Sequence, residues 1–599
     1  MCGIVAYNGT NNSLKFLING LSSLEYRGYD SCGIAGIKDR KIDIIKTVGR
    51  VKNLEEKSEE LFNSNIGIGQ TRWATHGKVT AENSHPHTSE NGRFTLVHNG
   101  VIENYLELKD DFLSETKFVS QTDTEVIVQL VQKFSDQGLE TKEAFRQAVS
   151  NLQGSYALCM LDSLDENVIY FAKNKSPLLI GVGESENYLG SDALAMIKYT
   201  NNFIEIKDGE FGQIYKDKIV LEDKLGNSID RDSFTINIKF EELDKGLYPH
   251  FMIKEINEQD SIVRKLVNIY FEDEEIKINQ DILDSILESD RLYIIACGTS
   301  YNAGLIGKEY FEKWAKIPTE IHLASEFAYN LPLLSEKPMF IFISQSGETA
   351  DIRSVLTKAK KDHSDIKTLV ITNVEASTLS RESDYTLLIH AGAEIAVAST
   401  KAYTAQVVLL SILAYKLSQV RNQELSFNLK HELSLVANVI ESVLNDQEKI
   451  KEITQETFIK RNAFYIGRGI DYYSCLEAAL KLKEISYIQT EGFAGGELKH
   501  GTIALIEEDT PVVAFITNSK LELNTRSNLA EVASRGAKIL AICLEKFAKD
   551  GDYAIPNVYE DLGPIVTIIV AQLISYFAAL YRDLDVDKPR NLAKSVTVE

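Results

Sequence analysis

The chain has 599 residues, 44% hydrophobic and 25% charged, the balance of a soluble globular protein with room for about three to four domains. Its 64 basic and 87 acidic side chains leave a net charge of −23, which argues against a broad phosphate-backbone footprint and so against a nucleic-acid partner. Six scattered cysteines (2, 32, 159, 297, 475 and 543) form no C-x-x-C pair, so neither a disulfide framework nor a zinc site is expected.

The amino terminus reads Met1-Cys2-Gly3-Ile4-Val5. Trimming of the initiator methionine, which a small second residue permits, would put a thiol and an α-amine on one residue. That amine has an unperturbed pKa of roughly 7.7–8.0, so it can take the nucleophile's proton without a histidine. No basic region followed by an apolar run opens the chain, so no secretory signal is expected and the cytoplasm is the default location.

From residue 3 to about 238, short β-rich runs such as Gly3–Tyr7, Cys32–Gly36 and Phe94–His98 are punctuated by Gly and Asn. The longer helical periods are Asp123–Phe134 and Thr141–Val149. This predicts stacked sheets with flanking helices over 1–238 (core 2–218), followed by a linker at 239–248. Beyond it, apolar strand-like runs alternate with amphipathic helices. Arg291–Ala296 ends in Cys297-Gly298-Thr299-Ser300, Met339–Ile343 ends in Ser344-Gln345-Ser346-Gly347-Glu348-Thr349, and Thr368–Thr372 follows. The order recurs about 170 residues later in Ala463–Ile466, Val512–Ile516 and Lys538–Cys543. Two related doubly wound parallel-sheet domains are therefore expected, at 249–430 (core 283–423) and 431–590 (core 454–590), with a tail at 591–599.

Leu562–Tyr581 runs twenty residues without a charge, long enough for a membrane span. Its Gly563-Pro564 start after Asp561, and its Thr567, Gln572 and Ser575, favour a buried helix instead, so no membrane partner is expected.

In open α/β sheets ligands sit beyond the carboxyl ends of the strands. Thr299, Ser300, Ser344, Ser346, Gly347 and Thr349 cluster there, and hydroxyls with backbone N–H groups at a helix start suit a phosphate monoester. The alternative is a pair of tight strand-to-helix turns that any such fold needs. A P-loop fingerprint is missing, which disfavours a nucleoside triphosphate. The second repeat has Ile516-Thr517-Asn518-Ser519 at the corresponding place, so a single phosphate site is expected.

A set of short strings ties these pieces together: Met1–Ile4, Glu25–Asp30 (EYRGYD), Thr71–Gly77 (TRWATHG), His98–Gly100 (HNG), Thr122–Glu125 (TDTE), Ser344–Thr349 (SQSGET), Val397–Lys401 (VASTK), Lys481–Glu484 (KLKE), Gly496–Gly501 (GELKHG) and Leu592–Glu599 (LAKSVTVE). In this order, over essentially the whole chain, they resemble the glutamine–fructose-6-phosphate aminotransferase (isomerizing) family in its bacterial form. The front resembles a class II glutamine amidotransferase of the N-terminal-nucleophile type, an αββα sandwich; the rear pair resembles sugar-isomerase domains.

The resemblance implies conversion of L-glutamine and D-fructose 6-phosphate to L-glutamate and D-glucosamine 6-phosphate, the entry to amino-sugar synthesis, with ammonia channelled between two sites and no metal or organic cofactor. Cys2 would be the nucleophile, with Asn99 and Gly100 as oxyanion donors. Arg72 would grip the glutamine carboxylate and Asp123 its ammonium, with Thr75 and His76 also in the glutamine site. Trp73 would gate the ammonia route and Arg27 belong to a closing loop. In the rear, Lys594 would form a Schiff base, Glu484 shuttle the proton and His500 open the sugar ring, His500 coming from the neighbouring subunit of a homodimer. Lys481 would set the charge state of Glu484. Ser300, Ser344, Gln345, Ser346 and Thr349 would hold the phosphate, and Val397 and Ser399 line the sugar pocket. On the residues alone, Asn99-Gly100 is also a common turn pair, Asp123 a candidate helix cap, Trp73 a core aromatic and Lys481–Glu484 a surface pair.

Two departures stand out: Asp260 where the family often has proline, and no long front-domain insertion of the eukaryotic kind, so feedback by a nucleotide sugar is not expected. Amidophosphoribosyltransferase and asparagine synthetase share such a front domain, but neither a ribose-pyrophosphate loop nor an ATP-pyrophosphatase loop is found. A sugar-phosphate sensor would have no use for Glu484, His500 and Lys594; a deglycase or plain isomerase would have none for Cys2 and Arg72.

Overall fold

The computed structural model describes residues 2–25, 28–58, 63–73, 77–236, 244–363 and 365–596. The chain divides into two compact units, Met1–Glu242 with Ser595–Glu599, and Leu243–Lys594.

In the front unit two sheets stack face to face. The first has eight strands in the spatial order Phe234–Thr235, Asn202–Glu205, Leu179–Val182, Asn187–Gly190, Gly3–Asn8, Ile66–Arg72, Ser31–Lys38 and Lys41–Val48. The second has seven: Ser228–Ile229, Ile219–Glu222, Glu210–Ile214, Asp165–Asn174, Gly154–Asp162, Phe94–Ile102 and His87–Thr88. The period-two alternation of strand side chains sorts the layers. Ile4 and Ala6 meet Val97, Ala157 and Phe171 between the sheets. Val5 and Tyr7, on the other face of the same strand, pack on Leu17 and Leu21 of the helix Leu14–Ser23. Phe94 and Leu96 face the helices Glu125–Asp136 and Thr141–Ser150. The result is helix, sheet, sheet, helix, and Gly3–Asn8 is buried throughout because both its faces are covered.

The rear unit carries two five-stranded parallel sheets. One runs Thr319–Leu323, Arg291–Ala296, Pro338–Ser344, Lys367–Thr372, Tyr385–Leu388; the other runs Gln489–Ala494, Asn462–Gly467, Pro511–Ile516, Lys538–Leu544, Tyr553–Ile555. In each, the second strand in sequence lies to one side of the first and the third to the other. The direction of winding reverses between first and third strands, which is where such folds bind ligands. The repeat expected from the sequence is thus present strand for strand. The largest hydrophobic cluster draws on both repeats, from Leu292 and Ile341 to Val513 and Ile542.

The apolar segment near the carboxyl end is the helix Gly563–Leu580, with Pro564 in its first turn, where a missing N–H costs nothing. Within Glu560–Leu580 an 18-residue window reaches a mean hydropathy of 1.9, enough for a membrane span by length and composition, yet that window is 100% buried inside the fold. Its polar atoms find protein partners: Gln572 Oε1 accepts from Gln259 Nε2 at 2.6 Å, and Ser575 Oγ donates to the Ala571 carbonyl at 2.8 Å. Truncating Ile568, fully buried on this helix, to alanine should lower rear-unit stability by about 2–5 kcal/mol, read as a shifted denaturant midpoint.

Candidate active sites

Strand register assembles the front site. Gly3 pairs with Thr71 across Gly3–Asn8 and Ile66–Arg72, so Cys2 comes level with the end of the second strand. The Trp73 N–H donates to Cys2 Sγ at 3.4 Å, and the thiol reaches the Trp73 carbonyl at 3.7 Å. Asn99 Nδ2 donates to the Cys2 carbonyl at 3.0 Å. Asn99 and Gly100 lie within the strand Phe94–Ile102, not in a free turn. Gly100 has φ of +133°, and a Cβ there would stand 2.0 Å from the Ser155 carbonyl oxygen, so the position admits only glycine.

Arg72 and Asp123 are buried beside the thiol. Arg72 donates to the carbonyls of Lys78 at 3.3 Å and Gly77 at 3.4 Å. Asp123 Oδ2 accepts the Ile102 N–H at 2.8 Å, and the residue preceding the helix Glu125–Asp136 is Thr124, so Asp123 is not that helix's cap. Cys2, Arg72, Trp73, Gly100 and Asp123 line one cleft, which holds a cation and an anion beside the thiol. Burial pushes the Cys2 thiol up, against the opposing pull of the chain's terminal amine, the Trp73 hydrogen bond and Arg72. The group therefore rests as a thiol and needs a base. Arg27, Thr75 and His76 lie outside the described residues.

The rear site grows from the switch point of the first parallel sheet. Ala296 and Ile343 are opposite one another on adjacent strands, so the helices Gly298–Tyr310 and Ala350–Asp362 start from neighbouring strand ends. Ser344 Oγ shares a 2.8 Å bond with Thr349 Oγ1 and accepts the Gly347 N–H at 3.1 Å; Ser346 Oγ accepts from Glu348 N at 3.2 Å. The Gln345 carbonyl holds Asn373 N at 3.1 Å. Gly347 has φ of +65°, and a Cβ would lie 2.0 Å from Ser377 Oγ. Ser300, in the first turn of the other helix, accepts from Gln406 Nε2 at 3.0 Å. The second repeat differs at this place: Thr517 N and Oγ1 donate to the Asp471 carboxylate at 2.9 and 2.6 Å. A carboxylate already fills that turn.

Two buried lysines complete the picture. Lys594, its side chain 4% exposed, donates to Glu394 Oε2 and lies 3.5 Å from Ser399 Oγ. Glu394 is fully buried and also takes Ser399 Oγ at 2.6 Å, Thr400 N at 2.9 Å and Ala402 N at 3.0 Å. Burial opposes its charge, but Lys594 and these donors prevail and hold it at about 2. Val397 is buried nearby, its N–H on the Asp587 carbonyl at 2.9 Å. Lys481, 1% exposed, is no surface residue: it reaches Glu484 at 2.7 Å, Thr299 Oγ1 at 3.0 Å and Glu477 at 3.4 Å. Burial works against the Lys481 charge, yet Glu477, Glu484 and more distantly Glu394 raise its pKa. His500 is exposed at the end of a short 3-10 segment, and among the described residues no hydrogen bond joins it to Glu484 or Lys594.

Relatives agree with this two-part layout. Family models match a glutamine amidotransferase domain at 71–198 and a SIS domain twice, at 285–416 and 458–582. Glutamine–fructose-6-phosphate aminotransferase (isomerizing) of Staphylococcus aureus (strain COL) is 56% identical over 605 residues, covering 100% of both chains. The chain belongs to the glutamine–fructose-6-phosphate aminotransferase family. The protein of the same name from Geobacillus kaustophilus (strain HTA426) is 54% identical over 602 residues, again with 100% of both chains covered. Among solved structures, the C-terminal domain of glucosamine-fructose-6-phosphate aminotransferase from Francisella tularensis matches 58% of this chain and 99% of its own, at 36% identity and a TM-score of 0.56.

Several residues in these clusters carry no sequence signal. Glu394 is a lone acid in an apolar stretch. Glu477, fully buried, accepts from Thr299 Oγ1 at 3.1 Å and Asn302 Nδ2 at 2.8 Å, joining the first repeat to the lysine of the second; burial lifts it to about 7, with Lys481 pulling it back. His85, in the front cleft, accepts the His98 N–H on Nδ1 at 3.2 Å, and burial, with His87 beside it, keeps the ring neutral. Replacing Gly100 by alanine should abolish glutamine hydrolysis, measured as glutamate release, while ammonium-dependent chemistry of the rear unit persists.

Proposed function

We propose that the chain transfers the amide nitrogen of L-glutamine to D-fructose 6-phosphate, giving L-glutamate and D-glucosamine 6-phosphate. What carries this reading is one chain holding both a thiol between a buried guanidinium and carboxylate, and a buried lysine in the unit that carries the hydroxyl-rich switch-point turn.

In the front cleft Arg72 takes the glutamine carboxylate and Asp123 its ammonium, which brings the side-chain amide to Cys2. Loss of Met1 leaves the Cys2 amine free to accept the thiol proton. Sulfur attacks the amide carbon, and the oxyanion is met by Asn99 Nδ2 and the Gly100 N–H. Ammonia leaves with the proton it needs, and water later cleaves the thioester to glutamate. Thr75, His76 and Arg27 are assigned to the glutamine site and its closing loop by family resemblance. Free ammonia would be protonated in water, so it travels by an enclosed route gated by Trp73.

In the rear, Ser300, Ser344, Gln345, Ser346 and Thr349 hold the phosphate, with Val397 and Ser399 along the sugar. His500 opens the ring, reaching in from the second subunit of a homodimer. The Lys594 amine forms an imine at C2 with loss of water, and ammonia then displaces the lysine. Glu484 removes a proton from C1 and returns it to C2, leaving an amine at C2 and an aldehyde at C1. Lys481 holds Glu484 in place through their 2.7 Å contact. The domains proposed are 1–238, 249–430 and 431–590, in a cytoplasmic enzyme.

A product assay tests the assignments. Cys2→Ala should form no glucosamine 6-phosphate from glutamine but retain synthesis from concentrated ammonium. Lys594→Ala should still release glutamate and never aminate the sugar. Wild type that releases glutamate without aminating fructose 6-phosphate would refute the acceptor and leave the front assignment standing. If His500 crosses the subunit boundary, mixing His500→Ala with Lys594→Ala should restore about a quarter of wild-type activity, because one site in each mixed dimer is then intact.

A further inference from the structure

Glu255 lies outside all the machinery assigned so far, yet it is among the most deeply buried acids of the rear unit, 1% exposed on the helix Phe251–Asn257. Its Oε1 accepts the N–H groups of Ile395 at 2.5 Å and Ala396 at 3.0 Å, the two residues that follow Glu394. Its Oε2 is buried with no hydrogen-bond partner among the described residues. The start of the same helix is fixed by Asp587, whose carboxylate accepts from Phe251 N at 2.9 Å and Met252 N at 2.8 Å, and whose carbonyl holds Val397. One short helix thus pins both segments that meet at the lysine: the 394–399 loop and the tail leading to Lys594.

The lysines nearby are engaged with other acids: Lys594 pairs with Glu394, and Lys401 with Glu258 at 2.6 Å; Lys254, on the same helix, also lies 3.5 Å from Glu258, and Lys245 lies 3.7 Å from Asp587. Among the described residues no ion pair joins Glu255 to a lysine, so its charge would sit in a dry region without a direct partner. Burial first, then the neighbouring Glu394 charge, lift its carboxyl to about 8, with Lys594 and Lys401 opposing.

We propose that Glu255 is a positioning residue for Lys594: its carboxyl fixes the backbone that presents Glu394 and Ser399 to the amine. This rests on the Schiff-base role of Lys594. The amine meets its substrate in a productive geometry only while Glu394 and Ser399 are held in place, and the Ile395 and Ala396 N–H groups on Glu255 hold the segment that carries them.

The test is borohydride trapping of fructose 6-phosphate on the full chain, with the Lys594 adduct quantified by mass spectrometry at neutral pH. Glu255→Gln still offers an oxygen to both N–H groups and should match wild type within about threefold. Glu255→Ala leaves both N–H groups bare and should lose about 10- to 100-fold in trapping, with Glu255→Gln restoring it. A Glu255→Ala variant as fast as wild type, or a Glu255→Gln variant as slow as Glu255→Ala, overturns the inference alone. A wild type that forms no adduct at Lys594 overturns the Schiff-base reading and this inference with it.

Discussion

Two ammonium groups withdrawn from water set the terms for the rear unit. An unpaired charge in such a place is untenable, and stripping a buried pair of one partner costs about 3–5 kcal/mol. Lys594 and Lys481 therefore dictate what surrounds them. Glu394 can stay ionised only because its two oxygens collect a lysine, a hydroxyl and two backbone N–H groups. Holding those donors in place fixes the Glu394–Ala402 backbone, and with it Val397 and Ser399. Lys481, gripped by Glu477 and Glu484, ties the first turn of Gly298–Tyr310 to the middle of Ile470–Ser486 through Thr299. The two repeats are locked together by charge at the place where the chemistry is assigned. Lys481 also senses Glu394, so the two clusters form one electrostatic system in which moving a proton at one end alters the other.

The front unit solves a different problem with backbone. Cys2, the nucleophile proposed for it, sits just before a buried strand, where a loose chain end would have many conformations to lose. Pairing of Gly3–Asn8 with Ile66–Arg72 and Asn187–Gly190 removes that freedom, and the Trp73 N–H at the thiol and the Asn99 amide at the Cys2 carbonyl fix what remains. The chain's terminal amine and Arg72 pull the sulfur toward thiolate, but burial outweighs them. Burial keeps it protonated, which suits a thiol activated only when a neutral amine is beside it.

Legibility follows the range of the interaction. Apolar runs such as Arg291–Ala296 and Lys538–Leu544 announce their strands because a strand buried on both faces is continuously apolar. The Ser344–Thr349 turn is readable because its hydroxyls and glycine act within six consecutive residues. Cys2 is readable from its position. The helix Gly563–Leu580 is readable as a buried helix from its Gly563-Pro564 start and its Thr567, Gln572 and Ser575, and the fold buries it. Glu394, Glu477 and Glu255 were invisible for a common reason. Each has a partner 200, 178 or 140 residues away, and no local pattern marks a contact made at that distance. Asp123 shows the opposite failure: its local context suggested a helix cap, and the Ile102 N–H took it instead.

The two parallel-sheet repeats show how one architecture yields a single site. Both have the same strand order and the same crevice between first and third strands. In the first repeat, that crevice meets hydroxyls and N–H groups at a helix start, with Gly347 allowing the backbone to turn inward. In the second, Asp471 enters from the first turn of its own helix and takes the Thr517 N–H and hydroxyl. A carboxylate there supplies internally the anion that an open turn would draw from solution, and Coulomb repulsion then excludes a phosphate. Burial lifts Asp471 to about 6, against the pull of Thr517, so near neutral pH the turn is occupied by negative charge. The helix Ile470–Ser486 of the second repeat carries Glu477, Lys481 and Glu484, and the first two of these bond Thr299 of the first repeat. One carboxylate thus fills the second turn while the first keeps its hydroxyls and N–H groups, in keeping with the single phosphate site of the proposed function.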